Sequence, residues 1–329
     1  MVDSDLQDCY IHHMATEYGT ITTADGIIDA AKTLGSKHGP FRVAVAAAED
    51  DDVLKACAEA ARLGTATFSL YGSEAKLREI GEKHGIDFSG FKIVSTKDAN
   101  ESAYLAAQAA DNGEADLIQK GFISTSGLLK TVLSRDFALR ASDTLNHVAV
   151  LGFAGYHKLI GITDGGMVVK PNFEQKLQMI NNSVQLFHCL GYETPKVAVS
   201  APVDYIHPKL PATTEAAQLT AMSKDGLIKD CEVYGPLTLD AATSREVALG
   251  RGIKNYVAGD ADIFLVDSIE ECNIISKVLI LLAPATFAGV IVGAKVPVSL
   301  VSRTDTARNK LASISIACLL ANFYRRGRA

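Results

Sequence analysis

Several function classes find no foothold in this 329-residue chain. Its six cysteines, at positions 9, 57, 189, 231, 272 and 318, form no CxxC pair and no Cys/His spacing of the zinc type. Nothing about them suggests disulfides, which fits a reducing cytoplasm. The charge balance is −6, and binding a phosphate backbone needs a basic surface, so nucleic acid is not expected as a partner. The opening stretch MVDSDLQDCYIHHMATEYG is acidic and polar with no apolar h-region, and residues 1–19 are expected to form a loose tail. The longest uncharged run, 278–294, is about 17 residues, at the short limit of a membrane span. It carries Pro284, Gly289 and Gly293, and reads as the end of a buried helix followed by a strand. No membrane partner is expected. Also missing are a Walker or dinucleotide glycine loop, an HExxH zinc helix and a GxSxG nucleophile elbow. Gly250-Arg251-Gly252 lacks a preceding strand and a third glycine.

What is present is a compact α/β pattern. A hydrophobic content of 48% and the length together favour two domains. After an opening helix over 21–38, short apolar strands at 41–47, 67–70, 92–94 and 116–118 alternate with helices at 50–63, 74–84 and 100–112. The beat continues with strands at 148–153, 159–162, 196–200, 232–234 and 262–266 and helices at 174–190 and 213–224. Such alternation implies βαβ units and mostly parallel sheets.

The stretch with most chemistry lies near the C-terminus. Residues 297–301 read as a buried strand, because Val296, Val298 and Val301 are β-branched and uncharged. The strand stops at Ser302-Arg303, and Thr304, Asp305 and Thr306 offer caps for a helix over 307–324. Open α/β sheets bind anions where a strand end faces a helix N-terminus, since unpaired N–H groups and the helix dipole point there. Arg303 adds a fork of donors suited to phosphate, with the Asp305 carboxylate beside it. By itself this is also what an ordinary capped turn looks like. A second strand end, 116–121, runs through Lys120 into Ser124 and Thr125 and then a helix carrying Lys130, a second place for an anion. Plain N-capping by Ser124 explains part of it equally well. The acidic run 49–52 reads as dipole stabilisation, and Asp164 and Asp260 as turn formers.

Eight stretches in order carry a resemblance: VAVAAAEDDDVLKA, ADLIQKGFISTS, NHVAVL, EQKLQMINNSV, PKVAVSAPV, GPLTLDAA, VAGDADIFLV and AGVIVGAKVPVSLVSRTDT. From about Gly39 to Ala317 the chain resembles the phosphate acetyltransferase and phosphate butyryltransferase family, more closely its butyryltransferase branch. The resemblance implies two α/β domains with an interdomain cleft, residues 1–145 plus 288–329 and residues 146–287. It implies reversible transfer of a short-chain acyl group between coenzyme A and inorganic phosphate, with coenzyme A as substrate, no other cofactor and no metal. It also implies a homodimer or larger homo-oligomer. Carried onto this chain, Ser302, Arg303 and Asp305 become the catalytic set, with Lys120, Ser124, Thr125, Lys130 and Arg303 binding substrate. The acetyltransferase branch places its proposed base two helical turns after the Ser-Arg, where this chain has Asn309; Asp305 is therefore the expected base. Lys130 stands where that branch has Arg, and Val168 and Cys272 replace a usual Asn and Gly. Two other readings compete: a non-catalytic relative that binds acyl-CoA or phosphate, and a metal-dependent decarboxylating dehydrogenase of similar fold.

Overall fold

The computed structural model describes residues 16–327. In chain order come α1 (Ala24–His38), β1 (Phe41–Ala46), α2 (Asp51–Arg62), β2 (Ala66–Gly72), α3 (Glu74–His84), β3 (Lys92–Ser95), α4 (Ala99–Asp111), β4 (Leu117–Lys120) and α5 (Thr125–Val132). The chain continues with β5 (Asn146–Gly152), β6 (Ile160–Thr163), α6 (Phe173–Cys189), β7 (Lys196–Ser200), α7 (Pro211–Lys224) and β8 (Glu232–Leu237). It closes with α8 (Leu239–Thr243), α9 (Arg245–Gly250), β9 (Ile263–Leu265), α10 (Ile269–Leu282), β10 (Thr286–Val292), β11 (Val298–Ser299) and α11 (Ala307–Arg326).

The helices start where polar caps sit. Asp50 caps α2 through the Val53 N–H, and Asn172 and Gln175 form a reciprocal capping box on α6. The strands are buried β-branched and alanine runs, as β1 illustrates with five of its six residues inside. They join into one eleven-stranded sheet in the order β3-β2-β1-β4-β11-β10-β5-β6-β9-β7-β8. The first five are mutually parallel, as are β6, β9, β7 and β8. Between them β10 runs antiparallel to both β11 and β5, and β5 antiparallel to β6. The mixed, mostly parallel α/β class expected from the alternation is the one observed.

Helix α11 runs through the interior: Asn309 to Ala321 are buried without a break. Small residues such as Ala312, Ser313, Ala317 and Ala321 let it sit close to β10, where the Ser313 hydroxyl accepts the Gly289 N–H at 2.9 Å. A helix buried all round can keep a charge only if that charge is paired.

Two expectations need correction. The helix preceding β10 is not buried. One side of α10 packs inward through Cys272, Ile275, Leu279 and Ile280, while Ile274 (63% exposed), Val278, Leu281 (73%) and Leu282 (78%) face outward. Apolar content alone does not say which side of a helix is covered. Gly250-Arg251-Gly252 closes the short helix α9, and Arg251 pairs with Asp204 and Asp240. Of the expected loose tail, residues 1–15, including Met14, lie outside the described residues. Residues 16–19 are docked: the Tyr18 hydroxyl donates to the Cys189 carbonyl at 2.7 Å, and Glu17 pairs with Lys37.

Candidate active site at the exits of three parallel strands

β1, β4 and β11 are parallel neighbours, so their carboxyl ends open on one edge of the sheet. Each leads to a helix N-terminus, α2 from β1, α5 from β4 and α11 from β11. The chain also turns back on itself here, since β2 and β3 lie on one side of β1 and β4 on the other. Ligands settle in open α/β sheets at such a switch point, where unpaired helix N–H groups converge. The loops leaving β1 and β4 touch: Gly121 and Phe122 donate to the carbonyls of Ala46 and Ala47. A Cβ on Gly121 would lie 2.0 Å from the Ala47 oxygen, so only glycine fits. Ala47 itself is held at φ 53°, a left-handed conformation costing a non-glycine residue about 1–2 kcal/mol.

Charge is concentrated at this edge. Lys310, 2% exposed, donates to Asp50 Oδ1 at 2.7 Å and lies 3.4 Å from the Arg303 carbonyl. Lys120 is buried and donates to the Gly121 carbonyl at 3.2 Å. Burial first, and then the charge of Arg303, push its ammonium below the ordinary lysine value. Arg303 lies with its guanidinium 4.3 Å above the Phe122 ring and has no ion-pair partner among the described residues. Three cations, Lys120, Arg303 and Lys310, gather here with the carboxylates Asp50 and Asp305, and the positive surplus suits an anion.

The turn between β11 and α11 is built around Asp305. Its Oδ2 accepts the Ser302 N–H at 2.6 Å, and its Oδ1 accepts from the Asn309 side-chain amide at 3.3 Å. The Asn309 carbonyl oxygen in turn accepts the Phe287 N–H at 3.1 Å, tying the turn to β10. Thr306 caps α11 through the Asn309 N–H.

Beside this turn lies a pocket of about 360 Å³ between α10 and the face of β5 and β10. Thr125, Ser302 and Asp305 line it on the side of the strand exits. Its inner wall carries His147, Ala149, Cys272, Ile280 and Phe287. Burial pushes the His147 imidazolium down to about 4, so the ring is neutral at pH 7, and it meets the Leu300 carbonyl at 3.2 Å. A carbonyl only accepts, which assigns the proton to Nε2. Burial pushes the Cys272 thiol up to about 12, so it is no nucleophile at neutral pH.

Of the residues singled out from sequence, Ser302, Asp305 and Thr125 meet at one pocket, with Arg303 and Lys120 in the adjoining cationic cluster. Ser124 is exposed and occupied as the cap of α5, accepting the Gly127 N–H at 3.0 Å. Lys130 is exposed on α5 and outside the pocket lining. Asp50 does more than favour the dipole of α2, because it also pairs with Lys310. Asp164 caps its own turn by accepting the N–H groups of Gly166, Met167 and Val168, and Asp260 is bound by Lys158 and Lys196. Sequence reasoning missed Lys310 and His147. A lone lysine amid NKLASISIACLLA was the available signal for the first. Among the described residues no group of His, Cys, Asp and Glu is placed to hold a metal ion.

Phosphate butyryltransferase of Clostridium acetobutylicum is 39% identical over 85% of this chain and 93% of its own length. Phosphate acetyltransferase of Thermotoga maritima is 38% identical over 90% of this chain and 98% of its own. The crystal structure of a branched-chain phosphotransacylase from Enterococcus faecalis, 29% identical, superposes with a TM-score of 0.77, covering 85% of this chain and 99% of that one. Residues 96–318 match the family described as phosphate acetyl/butaryl transferase, and the chain belongs to that family.

Proposed function

We propose that this protein catalyses reversible transfer of a short-chain acyl group between coenzyme A and inorganic phosphate, by direct attack within a ternary complex. One observation carries the reading: Ser302 and Asp305 line an apolar-walled pocket while Arg303, in the same turn, joins a cluster with surplus positive charge. Acyl phosphates need both halves, since the acyl chain is apolar and the phosphoryl group carries the charge.

In the direction of thioester synthesis, Arg303 and Lys120 hold the phosphoryl oxygens, with the Thr125 hydroxyl beside them. Asp305 takes the proton from the coenzyme A thiol, whose ordinary pKa of about 8.5 leaves it mostly protonated at neutral pH. The sulfur forms a bond to the acyl carbon, and the carbonyl electrons move onto an oxyanion that the Ser302 hydroxyl stabilises. Collapse breaks the bond between the acyl carbon and the bridging oxygen, and the electron pair leaves on phosphate, kept in place by the cations. General-base help of this kind is worth about 10²–10⁴ in rate. Both Asp305 oxygens already accept one hydrogen bond, and each keeps a lone pair for the proton.

No step as written calls on a metal or a second cofactor. The cysteines among the described residues are free thiols, in keeping with a reducing cytoplasm. Ile274, Val278, Leu281 and Leu282 recur at helical spacing on the outer side of α10, which supports a homo-oligomer formed through that side. Read as two units, 1–145 plus 288–329 and 146–287, the chain would have its pocket beside the pairing of β10 with β5, which supports an interdomain cleft there.

The test is thioester formation from coenzyme A and acyl phosphates, run with Arg303→Ala and Asp305→Asn. The reading expects turnover in the parent and losses of at least about 10²-fold in both variants. A protein that binds coenzyme A without turning over any acyl phosphate is a non-catalytic relative. An acyl-enzyme formed without coenzyme A refutes direct attack.

A further inference from the structure

Arg303 is held in place without its donors being occupied. A guanidinium carries five N–H groups, and an arginine fixed by a carboxylate has some of them taken before any ligand arrives. Among the described residues no oxygen accepts from the Arg303 side chain. The carboxylate two residues on, Asp305, is engaged by the Ser302 N–H and the Asn309 amide. Lys120 is close enough for the two positive charges to repel, since Arg303 helps to hold the lysine below its ordinary value. A long side chain facing a second cation, with no carboxylate to hold it, would be expected to swing into water. Instead its guanidinium carbon lies 4.3 Å from the centre of the Phe122 ring.

We propose that Phe122 is a positioning residue for phosphate binding, its ring holding the Arg303 guanidinium beside Lys120 while leaving the donor fork free for phosphoryl oxygens. The inference rests on the acyl-transfer reading above in taking phosphate as the ligand of Arg303. A lone exposed aromatic is ordinary by itself, and Phe122 is 50% exposed. What sets it apart is that its backbone is fixed on both sides. Its own N–H donates to the Ala47 carbonyl at 2.5 Å, Gly121 before it donates to Ala46 at 2.9 Å, and Ile123 after it is buried and donates back to Gly121 at 3.0 Å. The close approach of Gly121 to the Ala47 oxygen ties this turn to the exit of β1. At the other end Lys310 Nζ reaches the Arg303 carbonyl at 3.4 Å, so the arginine is steadied at its backbone and at its tip. A ring face attracts a cation through its quadrupole and presents no oxygen, so it fixes the charge without competing for the N–H groups.

The experiment measures the dissociation constant of inorganic phosphate by titration calorimetry. It compares the parent, Phe122→Leu, Phe122→Tyr, Arg303→Ala, and Arg303→Ala carrying Phe122→Leu. The Phe122 side chain is half exposed and its bond to Ala47 is made by the backbone, so leucine keeps the fold. Phe122→Leu is expected to weaken phosphate binding about two- to fivefold, the factor that a cation–π contact at an exposed site supplies. Phe122→Tyr keeps the ring face and is expected to stay close to the parent. With Arg303→Ala already in place, Phe122→Leu is expected to add nothing, which a merely structural role would not give. Phosphate affinity unchanged in Phe122→Leu overturns the inference while leaving the acyl-transfer reading intact. Tighter binding overturns it too, since the ring would then hold Arg303 away from phosphate. So does equal weakening with and without Arg303, or a raised KM for coenzyme A with phosphate affinity intact. The titration needs no turnover: a parent that transfers no acyl group removes the function reading, and phosphate binding still decides this one.

Discussion

Lys310 is the strongest structural test of the site, because its charge is almost fully buried on a helix that is otherwise apolar around it and is paired with Asp50. Its side chain is 2% exposed and that of Asp50 9%, and they meet at 2.7 Å. Replacing Lys310 by methionine keeps the length and apolar stem but leaves the Asp50 carboxylate buried with only the Val53 N–H. Breaking such a pair from one side costs about 3–5 kcal/mol, whereas an exposed pair is worth less than about 1 kcal/mol. Unfolding entropy of about 2.1 cal/mol/K per residue over 329 residues gives about 0.7 kcal/mol/K. Lys310→Met is therefore expected to lower Tm by about 4–7 °C in calorimetry. In Asp50→Asn combined with Lys310→Met neither ion of the pair is left without its partner, and asparagine caps a helix as well as aspartate does. The double variant is expected to recover most of the loss. A single variant within 1 °C (about 0.7 kcal/mol) of the parent, or a double variant no better than the single, refutes the buried-pair argument.

Two further outcomes follow from the same geometry. Burial and Arg303 hold the Lys120 ammonium below the ordinary lysine value, so affinity for acyl phosphate is lost on the alkaline side earlier than for an exposed lysine. Without ligand, stability is full above the unfolded lysine value of about 10.4 and is lost as pH falls through the depressed folded one. Lys120→Arg stays charged and is expected to move the alkaline limb of kcat/KM upward, and a limb that does not move assigns it to another group. The outward stripe of α10 predicts that the parent sediments as an oligomer at micromolar concentration and that Leu281→Glu with Leu282→Glu yields monomer. A monomeric parent removes the proposal.

The alternation of strands and helices was legible because it is written locally, in caps such as Asp50 and Thr306 and in runs of β-branched residues. The turn at Ser302–Asp305 could be read for the same reason, and α11 begins at Ala307, the position expected for it. The rest of the site depends on pairings that no local pattern encodes. Lys310 finds Asp50 across 260 positions, and His147 finds the Leu300 carbonyl across 153. Nor does composition reveal that β10 enters antiparallel between two parallel sets, which brings α10 and the face of β5 together around the pocket. An apolar helix such as α10 reads as buried until the elements on each side of it are placed.

The departure at position 309 takes on a physical sense once these contacts are known. The Asn309 amide does two opposite things at once, donating to the Asp305 carboxylate and accepting the Phe287 N–H. An ionised aspartate at 309 keeps the second contact but sets a second negative oxygen against Asp305 at about the 3.3 Å now spanned by the hydrogen bond. Two carboxylates that close resist ionising together. A carboxylate at 305 therefore calls for an amide at 309, and the two positions act as one unit, one just before α11 and the other in its first turn. The carboxylate of this unit stands at its earlier position and lines the pocket together with Ser302. The same amide fastens Asp305 to β10, so the proposed base and the Phe287 wall of the pocket are held by one side chain.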